Sequence, residues 1–191
     1  WRMFHVERGL SGRAEGDIAA KPRLLWRFKT GGEVNSSPTL AGGKVFVGSD
    51  DNSIYAIHID TGEQAWSYAT EGAVETAPLV AKDAVFAGSR DGDLYCLNIT
   101  DGQKIWSFET GAEILSSANW IGDGEPSQIV FGSYDGKVYG VAADSGEEVW
   151  SFKTESYVNG APAVADGNVI FAGCDARLRI LSPGDAEPLL D

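Results

Sequence analysis

Carboxylates are the most abundant chemistry-bearing groups in this chain, and many fall in its turns. Glu33, Asp50, Asp51, Glu71, Glu75, Asp91, Glu113, Asp135, Glu155 and Asp175 all sit within two residues of a Gly, Ser, Asn or Thr. Brought to one face, such a rim would focus a negative potential and bind a basic segment of a partner or a divalent cation. The competing reading is that polar turns favour Asp for local backbone reasons alone. Gly122-Asp123-Gly124-Glu125-Pro126 lacks the alternating Asp spacing of a dedicated Ca²⁺ loop, so no metal ligand set is assigned.

Nucleophilic chemistry finds no support. His5 and His58 are the only histidines, and neither stands near a Ser or Cys in a nucleophile motif. Cys96 and Cys174 are far apart, with neither the close pairing of a metal site nor the density of a disulfide scaffold. No catalytic residue is assigned. With 28 acidic against 15 basic side chains, the formal charge of −13 opposes nucleic acid and anionic membrane surfaces. A hydrophobic content of 43% without a long apolar run points to a packed core rather than membrane insertion.

The elements that must carry these turns repeat. Trp26-Arg-Phe-Lys-Thr, Trp66-Ser-Tyr-Ala-Thr, Trp106-Ser-Phe-Glu-Thr and Trp150-Ser-Phe-Lys-Thr each open a unit of about 40 residues, a period that signals a repeat architecture. Gly48-Ser49, Gly88-Ser89 and Gly132-Ser133 recur at a constant distance before the next Trp, and Gly173-Cys174 reads as a fourth version. Within the first unit, Ser36–Leu40, Lys44–Gly48, Ser53–His58 and Glu63–Tyr68 are rich in β-branched and aromatic residues. Between them, Ala41-Gly42-Gly43, Asp50-Asp51-Asn52 and Asp60-Thr61-Gly62 supply the positive-φ positions of hairpins. Four meandering strands per unit, repeated and without helices, predict an all-β propeller of four-stranded antiparallel blades. The first strand of each unit then lines the channel and the Trp strand is outermost.

Three stretches, Ala56-Ile-His58-Ile-Asp-Thr61-Gly62-Glu-Gln-Ala-Trp66, Cys96-Leu-Asn98-Ile-Thr-Asp101-Gly102-Gln-Lys-Ile-Trp106 and Gly140-Val-Ala-Ala-Asp-Ser145-Gly146-Glu-Glu-Val-Trp150, resemble the tryptophan-docking motif of quinoprotein-type propellers. The resemblance covers residues 24 to about 182, and Trp1-Arg-Met-Phe4 and Gly12 look like its lead-in. It departs at His58 and Asn98, where Asp is usual. As the resemblance implies, Trp26, Trp66, Trp106 and Trp150 wedge between neighbouring blades and dock on turns containing Gly62, Gly102 and Gly146. Burying one indole removes roughly 150–250 Å² from water, about 4–6 kcal/mol as an upper figure. Dehydrogenases of this type hold pyrroloquinoline quinone and Ca²⁺, but a docked Trp is not available as the cofactor platform and no adjacent Cys pair exists. Neither cofactor is therefore assigned.

The expected organisation is a lead-in over 1–23, an orphan outer strand over 24–30, blades over 31–69, 70–109 and 110–153, and an incomplete fourth blade over 154–191. Either residues 24–30 close a ring of four, or the chain is part of a ring of about eight blades; the second is favoured, because the chain stops partway into a blade. Two copies lending residues 24–30 to each other, a homodimer, would complete such a ring. The expected function is non-catalytic: a scaffold for a protein partner, as in a propeller of the bacterial outer-membrane assembly machinery that is similar in repeat type. The alternative is part of a pyrroloquinoline quinone-dependent dehydrogenase whose catalytic residues lie outside this chain. A periplasmic or extracytoplasmic location follows from the resemblance alone.

Overall fold

A computed structural model describes residues 21, 23–122, 124–182 and 188–190. Trp1, His5, Gly12 and most of the expected lead-in, Asp123, and Pro183-Gly184-Asp185 lie outside them. Among the described residues there is no helix, and the strands form four antiparallel sheets with strands in chain order. The first holds β1 (Thr39–Ala41), β2 (Lys44–Ser49), β3 (Ser53–His58) and β4 (Gln64–Ala69). The second holds β5 (Leu79–Ala81), β6 (Ala84–Gly88), β7 (Asp93–Asn98) and β8 (Lys104–Glu109). The third holds β9 (Asn119–Ile121), β10 (Gln128–Gly132), β11 (Lys137–Ala142) and β12 (Glu148–Lys153), and the fourth β13 (Ala163–Ala165), β14 (Asn168–Ala172), β15 (Leu178–Leu181) and β16 (Pro188–Leu190).

These are propeller blades. The innermost strands are all three residues long: Pro38, Pro78 and Pro162, which lack an N–H to donate, stand just before β1, β5 and β13, and Ala118 holds the same place before the equally short β9, so β1 starts at Thr39 rather than at Ser36. Neighbouring inner strands are tied across blades: Thr39 Oγ1 donates to Pro78 O at 2.6 Å and Asn119 Nδ2 to Pro162 O at 2.9 Å. In the three complete outer pairs a β-bulge falls just before the Trp, between Ala56 and Ile57, Cys96 and Leu97, and Gly140 and Val141. The extra residue is turned outward, which accounts for the exposure of Ile105 and Val149.

The core lies between blades rather than within them. Phe46, Ile54 and Ala56 of blade 1 pack on Val74, Val85 and Leu97 of the next unit. Leu79, Phe86 and Leu94 pack on Ile114, Ile129 and Phe131. Val130, Val138 and Trp150 pack on Val158, Val169 and Phe171. Each fully buried Leu, Ile or Phe contributes about 1.5–3 kcal/mol, so these three seams carry most of the stability. Among the described residues no such seam joins blade 4 back to blade 1.

The repeated glycines follow from this stacking. A methyl on Gly48, Gly88 or Gly132 would overlap Val74, Ile114 or Val158 of the following blade. The fourth version is not Gly173, as the Gly-Cys pair suggests. Ala172 pairs with Leu178 as Gly132 pairs with Val138, so the structural match is Ala172, one residue earlier. Ala172 is exposed, and its methyl is tolerated because no described blade packs on that side.

Blade 4 also differs from expectation at its outer edge. It has its own fourth strand, β16, so residues 24–30 do not complete it within one chain. Those residues form no strand and lie instead against blade 1.

Candidate functional site

The Trp side chains make polar contacts from one unit to the next. Trp26 Nε1 donates to Ile59 O at 2.7 Å, Trp66 Nε1 to Ile99 O at 3.1 Å and Trp106 Nε1 to Ala143 O at 3.2 Å, each reaching the following unit. Their rings lie on Gly62, Gly102 and Gly146, where a Cβ would come within 2.6–2.7 Å of indole carbons. These glycines also hold φ of 73–74°, so both the contact and the backbone demand the absence of a side chain. Trp150 behaves differently. Its Nε1 donates to Gln128 Oε1 at 2.7 Å within its own blade, and its ring covers Gly140, where Ala56 and Cys96 stand in blades 1 and 2.

The acidic turns resolve into two groups. Asp51, Asp91, Asp135 and Asp175 occupy one repeated position, and each carboxylate accepts the backbone N–H of the loop leaving the preceding Trp strand: Gly31 at 2.6 Å, Glu71 at 2.9 Å, Gly111 at 3.0 Å and Glu155 at 3.4 Å. The same carboxylate takes a second bond from its own blade. Tyr55, Tyr95 and Tyr139 donate their hydroxyls to Asp51, Asp91 and Asp135 at 2.7, 2.9 and 2.5 Å. In blade 4, Arg179 takes the Tyr position and clasps Asp175 with Nη1 at 3.0 Å and Nη2 at 2.7 Å. These Asp residues are latches between blades rather than a free rim.

The electrostatics agree with that role. Burial and the neighbouring Asp91 push the Tyr95 hydroxyl up, and burial with Asp135 does the same to Tyr139, keeping both as neutral donors. Burial raises Asp51, but hydrogen bonds led by Tyr55 and the Gly31 amide outweigh it and the net shift is down. Arg179 holds Asp175 at about 2. Asp93, beside the latch, is raised by burial and by the charges of Asp91 and Glu109.

Of the other candidate rim residues, Asp50 accepts Asn35 Nδ2 at 2.8 Å, Glu75 pairs with Arg90 at 2.9 Å and Glu155 pairs with Arg177 at 3.0 Å. Glu33, Glu71 and Glu113 keep carboxylates without a partner among the described residues, on the loops that enter blades 1, 2 and 3. The rim available to a partner is therefore smaller than the turn composition suggests. The signal that could have separated the groups was present: a Tyr stands four residues after Asp51, Asp91 and Asp135.

On the opposite face a cleft of about 270 Å³ opens between blades 2 and 3, with Phe86, Cys96, Trp106 and Pro126 in its walls and the Lys82–Asp144 ion pair at its mouth. Burial pushes the Cys96 thiol up to about 12, so it behaves as a small apolar side chain. No grouping of His, Cys, Asp and Glu suited to a metal occurs among the described residues, and no helix there is long and apolar enough to cross a membrane.

Four-stranded blades, interblade seams, Trp contacts to the next turn and a repeated Asp latch define a β-propeller of pyrroloquinoline quinone-like repeats. The chain belongs to the family described as outer membrane protein assembly factor BamB, whose profile matches residues 15–127 and 124–189. Among solved structures it is similar to BamB from Moraxella catarrhalis, with a TM-score of 0.76 at 16% identity over 86% of this chain and 54% of that one. It is similar also to quinohemoprotein alcohol dehydrogenase from Comamonas testosteroni, with a TM-score of 0.85 at 14% identity over 100% of this chain and 40% of that one. The computationally designed Ika4 protein matches with a TM-score of 0.75 at 18% identity over 85% of this chain and 99% of that one. No curated protein matches the chain. The chain spans about half the length of the BamB structure it resembles.

Proposed function

We propose that this propeller is a non-catalytic scaffold of the bacterial cell envelope, in the periplasm or another extracytoplasmic space, which holds a protein partner on rigid loops. The observation that carries this reading is the use made of the acidic turns: Asp51, Asp91, Asp135 and Asp175 serve the same latch in every blade. Groups spent in repeated intramolecular bonds are not poised for acid–base or metal chemistry. Glu33, Glu71 and Glu113 remain on adjoining loops as the contact points for a basic segment of the partner. The family description, an outer membrane protein assembly factor, supports the setting.

The competing reading is a share in a quinone-dependent dehydrogenase. Two measurements separate them. A photo-crosslinker placed at Glu33, Glu71 or Glu113 in turn should trap one discrete protein in cells, and Glu→Lys changes at the other two positions should abolish each adduct without shifting Tm. Calorimetry with pyrroloquinoline quinone and Ca²⁺ should show no saturable heat; tight quinone binding with alcohol-dependent dye reduction would replace the scaffold by the enzyme.

A further inference from the structure

Three departures from the repeat meet at the seam between blades 2 and 3. In blades 1, 2 and 4 a turn of two residues joins the first strand to the second, whereas residues 122–127 make that connection in blade 3. The longer loop brings Pro126 to the wall of the cleft. Lys82 takes the turn position that Gly42 holds in blade 1, at a φ of 51° that is unfavourable for a residue with a Cβ. Asp144, two residues before Gly146, takes the place that Thr100 holds before Gly102. Lys82 Nζ reaches across the seam to Asp144 Oδ1 at 3.0 Å, where the seam between blades 1 and 2 has the uncharged Gly42 and Thr100 in the same two places. That seam packs Phe46, Ile54 and Ala56 on Val74, Val85 and Leu97 without any of the three features, so none of them is required for stacking blades.

The interior of the cleft and its lip differ in chemistry. Phe86, Cys96, Trp106 and Pro126 make the interior apolar, with the Phe86 and Trp106 rings 5.7 Å apart and inclined at 50°. A cavity of roughly 150 Å³ admits benzene. About 270 Å³ therefore takes one aromatic ring and the few atoms that attach it to the lip. The lip offers a cation and an anion side by side, both reaching solvent. Asp144 lies close enough for its charge to add to burial in raising the Cys96 thiol, so the carboxylate bears on the interior as well. A ligand with one charge would take one member of the pair and leave the other without its partner, whereas a ligand with both charges on neighbouring groups satisfies both.

We propose that this cleft is a binding site for a free α-amino acid with an aromatic side chain. The ligand's carboxylate accepts from Lys82 Nζ, its ammonium donates to Asp144, and its ring lies on Phe86 and Trp106 against Pro126. The Lys82–Asp144 bond gives way at small cost, because a solvent-exposed ion pair contributes little to stability, and the ligand replaces it by two such bonds. The site is on the face opposite Glu33, Glu71 and Glu113 and does not depend on the partner they would hold.

Calorimetric titration of the full chain with L-phenylalanine tests this. Saturable binding with a Kd below about 1 mM is expected. Lys82→Gln and Asp144→Asn should each raise that Kd at least about tenfold, the loss of one charge-assisted hydrogen bond. Both side chains stand at the solvent-exposed lip, so the variants keep the fold, which an unchanged near-ultraviolet circular dichroism spectrum verifies. N-acetyl-L-phenylalanine, which has no ammonium, should bind the wild type more weakly and should not be weakened further by Asp144→Asn; L-phenylalaninamide, which has no carboxylate, should show the same pattern with Lys82→Gln. The absence of saturable binding, or a Kd that neither variant moves, overturns the proposal. N-acetyl-L-phenylalaninamide binding as tightly as the free amino acid overturns it too, and gives the cleft to a side chain of a peptide instead.

Discussion

Blades 2 and 4 share a template and solve the same packing problem differently. Blade 2 is enclosed by neighbours on both sides, and its inner positions are fitted to blade 3: Gly88 leaves room for Ile114, and Leu79, Phe86 and Leu94 pack on Ile129 and Phe131. Blade 4 keeps the contacts it makes backward, where Phe171 and Leu181 are buried against blade 3. Forward, it carries Ala172 for Gly and an exposed Leu178 for a buried Leu94. The repeat therefore encodes interfaces rather than sheets. Sequence drifts where an interface is missing or altered, and it is held where a blade is clamped.

The largest test of that contrast is Trp106→Ala. The indole bridges blades 2 and 3, packs on Gly146 and bonds Ala143 O, so its loss should cost about 3–5 kcal/mol in chemical denaturation. A near-neutral result would remove the interface from its central place. Next comes Gly88→Ala, which drives a methyl into Ile114 and should cost about 1–3 kcal/mol through overpacking, while the reciprocal Ala172→Gly should leave the stability of the single chain within about 0.5 kcal/mol. Equal costs at the two sites would mean that blade 4 is clamped as blade 2 is.

How far the chain reveals this without coordinates depends on what each residue touches. Trp26, Trp66, Trp106 and Trp150, with the recurring Gly-Ser pairs, announce a repeated blade because every copy must fill the same space. Trp150 is the exception hidden by that regularity. Its indole covers Gly140 of its own sheet, where blades 1 and 2 have Ala and Cys, and bonds Gln128, two features that local pattern reading does not connect. The Asp latches were harder still. Asp51 or Asp91 reads as a solvated turn residue until the preceding blade is placed beside it, because the amide it accepts lies 20 residues away in sequence. Composition puts Gly173 in the place of the repeated glycine, whereas strand register, not residue type, fixes the match and puts Ala172 there.

A smaller effect separates the two forms of the latch. Tyr95→Phe removes the hydroxyl that donates to Asp91 at 2.9 Å and leaves the ring in place against Tyr68 at 5.5 Å. The expected loss is about 1 kcal/mol, one net hydrogen bond, because the Glu71 amide still holds the carboxylate. A loss equal to that of Trp106→Ala would show the latch, rather than the apolar seam, to be the main clamp.

The finest distinction is electrostatic and belongs to blade 4. There the latch is an ion pair, Arg179 with Asp175, and both side chains are buried. Arg179 holds Asp175 at about 2, below the ordinary 3.8, so the folded state binds this proton less readily than the unfolded chain. The contribution is fully present above about pH 4 and is lost as pH falls from there toward 2. Because Asp175 accepts the amides of Glu155 and Arg177, their hydrogen exchange, corrected for intrinsic rates, should accelerate across that window. Arg179→Met should move the onset of that acceleration upward in pH, toward the ordinary carboxylate value. Identical acid profiles for the variant and the wild type would mean that the guanidinium fills space at the edge of the fourth blade without holding its charge partner ionised.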